Sequence, residues 1–113
     1  MLSLPKDTPQ LRWTRHIKNK MVFYHLSGAH IMRILRSPQR IEEGVAPETS
    51  AAMRVKKSVG ANKKREEELW IMYQTKANRK ITMISAWRYP GRTKPGAAIP
   101  IPDDTLTELA KLS

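Results

Sequence analysis

The chain has 113 residues, which is enough for one domain with a single hydrophobic core. Its 21 lysine and arginine residues outnumber 10 aspartate and glutamate residues, so the net charge is +11 and an anionic partner is expected: nucleic acid, an acidic protein or a membrane surface. The membrane alternative is disfavoured, because no apolar run approaches the ~18 residues of a transmembrane helix. The absence of cysteine excludes disulfides and thiolate metal sites.

The first residues carry no apolar core of the kind found in signal peptides, so the cytoplasm is the expected location. Residues 1–12 contain Pro5 and Pro9 and lack periodicity, which predicts a loose arm, or an edge strand over residues 10–13. Thr14 is a good helix N-cap. A helix over residues 14–24 is predicted by one apolar stripe, formed by Trp13, Ile17, Met21 and Tyr24. His16, Lys20 and Phe23 lie along the flank of that stripe.

A second helix is predicted over residues 29–36. Ser27 is its expected N-cap, and Pro38 ends it because the residue before a proline disfavours helix. Residues 40–44 and 50–57 are strand candidates, and residues 59–65 are expected to form a basic loop.

The most pronounced strand pattern is a hairpin of residues 69–74 and 81–89, rich in aromatic and β-branched residues. A turn over residues 76–79 is expected to use the tolerance of Asn78 for the left-handed conformation. Residues 90–113 form a proline-rich tail, expected to be extended, with a short helix over residues 105–112. The apolar face expected of that helix is Leu106, Leu109 and Leu112.

These elements predict a single α+β domain over residues 1–113. Two N-terminal helices should pack on a roughly four-stranded antiparallel sheet, because every link between strands is short enough for a hairpin. The predicted core contains Ile17, Met21, Ile34, Ile71 and Ile84.

The front of the chain reads Trp13-Thr-Arg-His16, then Lys20-Met21 and Tyr24. With this order of elements, residues 13–90 resemble the RelE/ParE-like and colicin-D-like bacterial ribonuclease toxins. The resemblance implies metal-independent cleavage of RNA, or an inactive relative of such a fold, often with an acidic antitoxin protein as partner. The proline-rich tail is not part of that pattern.

Metal-free RNA cleavage needs a base for the 2′-hydroxyl, an acid for the leaving oxygen and cations for the transition state. His16 suits the acid or base role, and Lys20 lies one turn along the same flank. Arg88 could bind the phosphate in a bidentate manner, while Tyr73 and Ser85 could donate hydroxyl hydrogen bonds. A histidine beside an apolar stripe is, however, more often structural, and Lys20 and Arg88 could equally be solvated charges.

Further cations predict contacts with nucleic acid, although a solvated loop and turn are the plainer interpretation. They are Arg40, Lys56, Lys57, Lys63, Lys64, Arg65, Lys76, Arg79 and Lys80. No residue spacing indicates a metal site, and no cofactor is expected. Three functions therefore stay open: a toxin-like RNA endonuclease, a non-catalytic RNA- or DNA-binding module, and a partner of an acidic antitoxin.

Overall fold

A computed structural model describes residues 4–57 and 66–112 of the chain as an α+β fold. Its elements in chain order are β1 (Leu11–Trp13), α1 (Arg15–Tyr24), α2 (Gly28–Arg36), β2 (Arg40–Glu43), β3 (Thr49–Lys57), β4 (Glu66–Thr75), β5 (Ile81–Pro90) and α3 (Asp103–Ala110). The five strands form one sheet in the order β1-β5-β4-β3-β2.

Four of these strands, β2 to β5, form the antiparallel meander that the sequence predicts. The predicted α+β class holds, but the sheet has one strand more than the roughly four-stranded antiparallel sheet that was predicted, because β1 joins β5 in parallel and makes the sheet five-stranded and mixed. Residues 11–13 are therefore an edge strand, which confirms the alternative predicted for residues 10–13 over the loose arm. The backbone N–H of Ile81 donates to the Gln10 carbonyl at 2.9 Å, and that of Thr14 donates to the Met83 carbonyl at 3.2 Å.

Helices α1 and α2 cover one face of the sheet, as their apolar stripes predict. The side chain of Thr14 accepts from the backbone N–H of Ile17 at 3.1 Å and caps α1. At α2, Ser27 and His30 form a reciprocal capping box. These two caps fix where the helices begin, so Ile17 and Ile34 both point into the core and are buried.

The opposite face of the sheet is covered by the proline-rich tail and α3. Trp70 and Trp87 stack there with ring centroids 6.1 Å apart, and Leu109 of α3 packs in the same cluster. Both faces of β4 and β5 are consequently buried, which explains their almost continuous apolar sequence.

Two local predictions are corrected. Helix α3 begins at Asp103, and its buried residues are Thr105 and Leu109, while Leu106 and Leu112 are exposed. In the β4–β5 turn the left-handed residue is Arg79, with φ of 65°, and Asn78 instead accepts a hydrogen bond from the Lys80 backbone N–H at 3.1 Å. No helix in the described part of the chain is long and apolar enough to span a bilayer.

Candidate nucleic-acid interface

Lys20 and His16 lie one turn apart on the flank of α1, as predicted, and this flank is covered by the N-terminal turn of α3. Lys20 is only 8% exposed, and its Nζ lies 2.8 Å from Oδ2 of Asp104. The same ammonium group lies 5.0 Å from the ring centroid of Tyr24 and 5.8 Å from that of Phe23. An anion and two aromatic rings therefore hold the Lys20 charge in place.

Ser85 of β5 reaches the same place because a β-bulge interrupts the pairing of β4 with β5. Met72 pairs with Ser85 and the next residue, Tyr73, pairs with Met83, so Ile84 has no partner. The Ser85 Oγ lies 2.8 Å from Oγ1 of Thr105 in α3. His16 Nε2 lies 3.4 Å from the same Thr105 hydroxyl.

Three of the five predicted catalytic residues thus lie against the first turn of α3, Lys20 at Asp104 and both His16 and Ser85 at Thr105. They face Asp104 and Thr105 of the tail, two residues that the sequence did not assign to any site. The signal that could have found them is the pair of acidic residues at the predicted start of the last helix, in a chain that is otherwise strongly basic.

Electrostatics at this point favour a neutral imidazole. Burial lowers the pKa of His16 below its ordinary 6.5, and the charges of Lys20 and Lys111 act in the same direction, against the carboxylates of Asp104 and Glu108. Burial alone would raise the pKa of Asp104, but the hydrogen bond and charge of Lys20 outweigh it and keep that pKa below the ordinary 3.8. An unprotonated imidazole beside a carboxylate–ammonium pair results.

Arg88 and Tyr73 lie away from this cluster. Arg88 Nε donates to the Tyr24 carbonyl at 2.8 Å, and its guanidinium also pairs with Glu67, so it caps the C-terminal end of α1. Tyr73 is half-buried on the sheet face that α1 and α2 cover, whereas Ser85 faces α3. The predicted five-residue site is therefore not assembled at one place in this arrangement.

Arg40 belongs to a buried polar network beneath the tail. Its side chain is 8% exposed, pairs with Glu42 at 3.0 Å and lies over the Trp70 ring at 5.2 Å. Its Nη1 also donates to the Thr93 hydroxyl at 2.7 Å. Glu68, fully buried, accepts from the Thr93 backbone N–H at 2.9 Å and from Trp70 Nε1 at 3.0 Å. This network fastens the tail to the sheet.

A basic groove opens at the β1 edge of the sheet, between the segment that precedes β1 and the β4–β5 turn. Its volume is about 490 Å³. The polar side chains along it include three cations and one acid: Arg12, Lys76, Lys80, Asp7, Asn78 and Thr82. Asp7 already accepts the backbone N–H of Trp13 at 2.8 Å. None of the three cations forms an ion pair within residues 4–57 and 66–112.

The groove contains two of the predicted nucleic-acid contacts, Lys76 and Lys80, and one cation that the sequence did not single out, Arg12. Arg12 pairs in register with Thr82 of β5, which is the reason it joins the turn lysines. Arg79 lies in the same turn but does not line the groove. Lys56 and Lys57 are exposed at the far end of β3, and the predicted contacts Lys63, Lys64 and Arg65 fall outside the described residues.

Within the ranges that the structure describes, no three histidine or acidic side chains are grouped closely enough to hold a metal ion. Comparison of the chain with protein-family models, with curated proteins and with solved structures gives no match. The resemblance to ribonuclease toxins stays a prediction, and function is argued below from the geometry of the described residues.

Proposed function

We propose that this protein binds RNA through the basic groove at the β1 edge of the sheet. The observation that carries the proposal is that Arg12, Lys76 and Lys80, all exposed, line one groove without an ion pair among the described residues. Other exposed cations among the described residues also lack an ion pair, but these three share one groove, whereas the four cations Lys20, Arg40, Arg88 and Arg92 are each paired with a carboxylate.

Unpaired cations on rigid backbone suit the phosphates of a polyanion. Arg12 lies on a strand, and Lys76 and Lys80 flank a turn in which the Lys76 backbone N–H donates to the Lys80 carbonyl at 2.8 Å. The backbone at these positions is thus held before binding, which lowers the backbone entropy lost when a ligand docks. A groove of this volume admits a short single-stranded segment, in the size range of ordinary ligand sites.

The experiment is a salt-dependent titration of a labelled single-stranded RNA oligonucleotide. The variant carries Lys76→Gln and Lys80→Gln, and the matched control carries Arg36→Gln and Lys94→Gln. Both variants lose two charges, but Arg36 and Lys94 belong to α2 and to the tail beside β2, away from the groove. Loss of two phosphate contacts should reduce the slope of log K against log salt by about 1.4, at about 0.7 per contact for single strands.

The control should retain nearly the wild-type slope. If the two double variants gave equal slopes of log K against log salt, the groove would not be part of the RNA interface. A single-stranded DNA of the same sequence is the second ligand, since only RNA offers the 2′-hydroxyl by which a protein distinguishes the two.

A second candidate function, metal-independent RNA cleavage, is favoured by one specific observation. His16, Lys20 and Ser85 all contact the first turn of α3, and burial lowers the pKa of His16, which favours the unprotonated form that a general base requires. In the arrangement described here, Asp104 and Thr105 occupy the space beside these groups. Cleavage would therefore require α3 to move.

A further inference from the structure

We propose that Lys20, His16 and Ser85 form a second anion-binding site, that its ligand is a phosphate group of RNA, and that Asp104 of α3 occupies this site in the unbound protein. The inference rests on the proposed RNA-binding function and adds to it a site distinct from the groove. Helix α3 then acts as a plug, because it fills the second site in the unbound protein and a phosphodiester group of RNA displaces it.

The ammonium group of Lys20 is prepared for an anion whether or not Asp104 is present. Lys20 lies on the regular helix α1, and its Nζ faces the rings of Tyr24 and Phe23 from that same helix. These contacts do not involve α3, so they persist when α3 leaves. With α3 in place this charge is paired with the Asp104 carboxylate, and once α3 leaves, a phosphate oxygen can take the place of that carboxylate.

Two neighbouring groups complete the site. The Ser85 hydroxyl and the His16 Nε2 both contact the Thr105 hydroxyl, at 2.8 Å and 3.4 Å. When Thr105 withdraws, both groups lose that partner and face the vacated space. The Lys20 ammonium, the Ser85 hydroxyl and the His16 imidazole nitrogen then border the space that Asp104 and Thr105 leave, and a phosphate group has enough acceptor oxygens for all three.

Helix α3 is lightly anchored for an element that covers a buried lysine. Its only buried apolar side chain within the described residues is Leu109, while Leu106 is exposed, as is Leu112 just beyond the end of the helix. Its N-cap, Pro102, makes no side-chain capping bond. A helix of this length is not stable without packing, so α3 depends on these few contacts for its position.

Access to the ion pair is also asymmetric. The side chain of Lys20 is 10% exposed, whereas that of Asp104 is 55% exposed. A polyanion can therefore approach from the Asp104 side and exchange with its carboxylate, as one anion replaces another beside the same cation. Binding and release of α3 are then linked equilibria, and whatever weakens α3 docking must strengthen RNA binding.

The test compares Asp104→Asn with Asp103→Asn. Both substitutions remove one negative charge from the first turn of α3, but the Asp104 side chain alone pairs with Lys20. The probe is a labelled single-stranded RNA oligonucleotide. Asp104→Asn should bind it at least about fivefold more tightly than Asp103→Asn, the lower end of usual coupling between linked sites. Equal affinities would overturn the proposal.

Amide hydrogen exchange of the wild-type protein supplies a measurement that needs no variant. Saturating RNA should accelerate exchange over residues 105–110, because α3 leaves its site. Unchanged or slower exchange there would also overturn the proposal. The groove is judged separately: if Lys76→Gln with Lys80→Gln leaves affinity intact while Asp104→Asn strengthens binding, the groove proposal fails and the plug stands. If Lys76→Gln with Lys80→Gln instead weakens binding while Asp104→Asn leaves affinity unchanged, the groove proposal stands and the plug proposal fails.

Discussion

The Nζ of Lys20 and the Oδ2 of Asp104 lie 2.8 Å apart, although 84 positions separate the two residues along the chain. This ion pair joins the first helix to the last and closes the space beside His16 and Ser85. Because Lys20 is almost fully buried and Asp104 is not, removal of Asp104 leaves a poorly solvated charge. The pair therefore couples the stability of the fold to the exposure of the candidate site.

The first prediction concerns the pH dependence of this ion pair. Lys20 holds the pKa of Asp104 below its ordinary 3.8 in the folded protein, so ionised Asp104 stabilises the fold at neutral pH. That stability is lost as pH falls through the folded-state pKa. Denaturant unfolding should show wild type more stable than Asp104→Asn at neutral pH, with the difference shrinking as the pH falls below 3.8. A constant difference across this range would contradict it.

The second prediction concerns His30, whose Nδ1 accepts the Ser27 backbone N–H at 3.0 Å in the capping box of α2. Burial, together with the charges of Lys56 and Arg88, lowers the pKa of His30 below 6.5. The unfolded chain then takes up the proton first, so stability falls as pH drops below 6.5. His30→Gln retains a capping-box acceptor without titrating.

Thermal unfolding at a series of pH values should show a flatter profile for His30→Gln than for wild type on the acid side of neutrality. His16→Gln serves as the comparison, since burial also lowers the pKa of His16. His16→Gln should also flatten the dependence of stability on pH on the acid side of neutrality. Its effect should add to that of His30→Gln, because the two histidines lie on different helices. A profile for His30→Gln as steep as that of wild type would exclude this role.

The third prediction concerns Thr93, which links the tail to the buried network. Its hydroxyl donates to Glu68 at 2.8 Å and accepts from Arg40 at 2.7 Å. Thr93→Val leaves a buried carboxylate and a guanidinium short of a partner, so it should cost about 1–3 kcal/mol. Thr107→Val is the control, because that exposed hydroxyl bonds only the Asp103 carbonyl; its effect should stay within about 0.5 kcal/mol. Chemical denaturation measures both, and equal effects would contradict the role of Thr93.

The fourth prediction concerns the β4–β5 turn. Arg79 adopts φ of 65°, which is costly for any residue with a Cβ atom. Arg79→Gly should therefore stabilise the protein by about 0.5–1 kcal/mol. Arg79→Ala removes the same charge without relieving the backbone and should show no such gain. If alanine stabilises as much as glycine, charge rather than conformation is responsible.

The fifth prediction follows from the ribonuclease proposal. His16→Ala should reduce RNA cleavage by about 10²- to 10⁴-fold, the usual effect of losing a general acid or base. Cleavage by wild type should persist in excess EDTA and leave 2′,3′-cyclic phosphate ends. Purified protein incubated with mixed cellular RNA provides the assay. Undiminished cleavage by His16→Ala, or none by wild type, would leave RNA binding as the function to pursue.

Local sequence signals predicted much of the fold because their causes are local. The caps at Thr14 and Ser27 act within one helical turn, and the predicted core residues Ile17, Met21, Ile34, Ile71 and Ile84 are all buried. Glu68 escaped prediction because it follows Glu66 and Glu67 and resembles a solvated acidic run. Its partner Thr93 is 25 positions away and gives no sign in the sequence.

In the candidate site, too, the local relationships were predictable from the sequence and the long-range ones were not. The shared flank of His16 and Lys20 was predictable from helical spacing. The approach of Asp104 and Thr105 was not, because it depends on how the tail crosses the sheet. Arg88 was placed on the last strand correctly, but its role at the end of α1 depends on carbonyl groups that only the folded helix exposes. In the groove, Arg12 joins the turn lysines only through the pairing of β1 with β5.

That pairing also sets an expected order of folding. The Thr14 hydroxyl donates to the Ile84 carbonyl across 70 positions, so the loop that must close is most of the chain. The β4–β5 hairpin needs only a short turn, and contacts of low sequence separation form fastest. We expect the meander to form first, with β1 adding to an already completed β5. During synthesis, β1 would thus leave the ribosome before β5 but acquire its native neighbours only after β5 is in place, and it would complete the wall of the groove only at that stage.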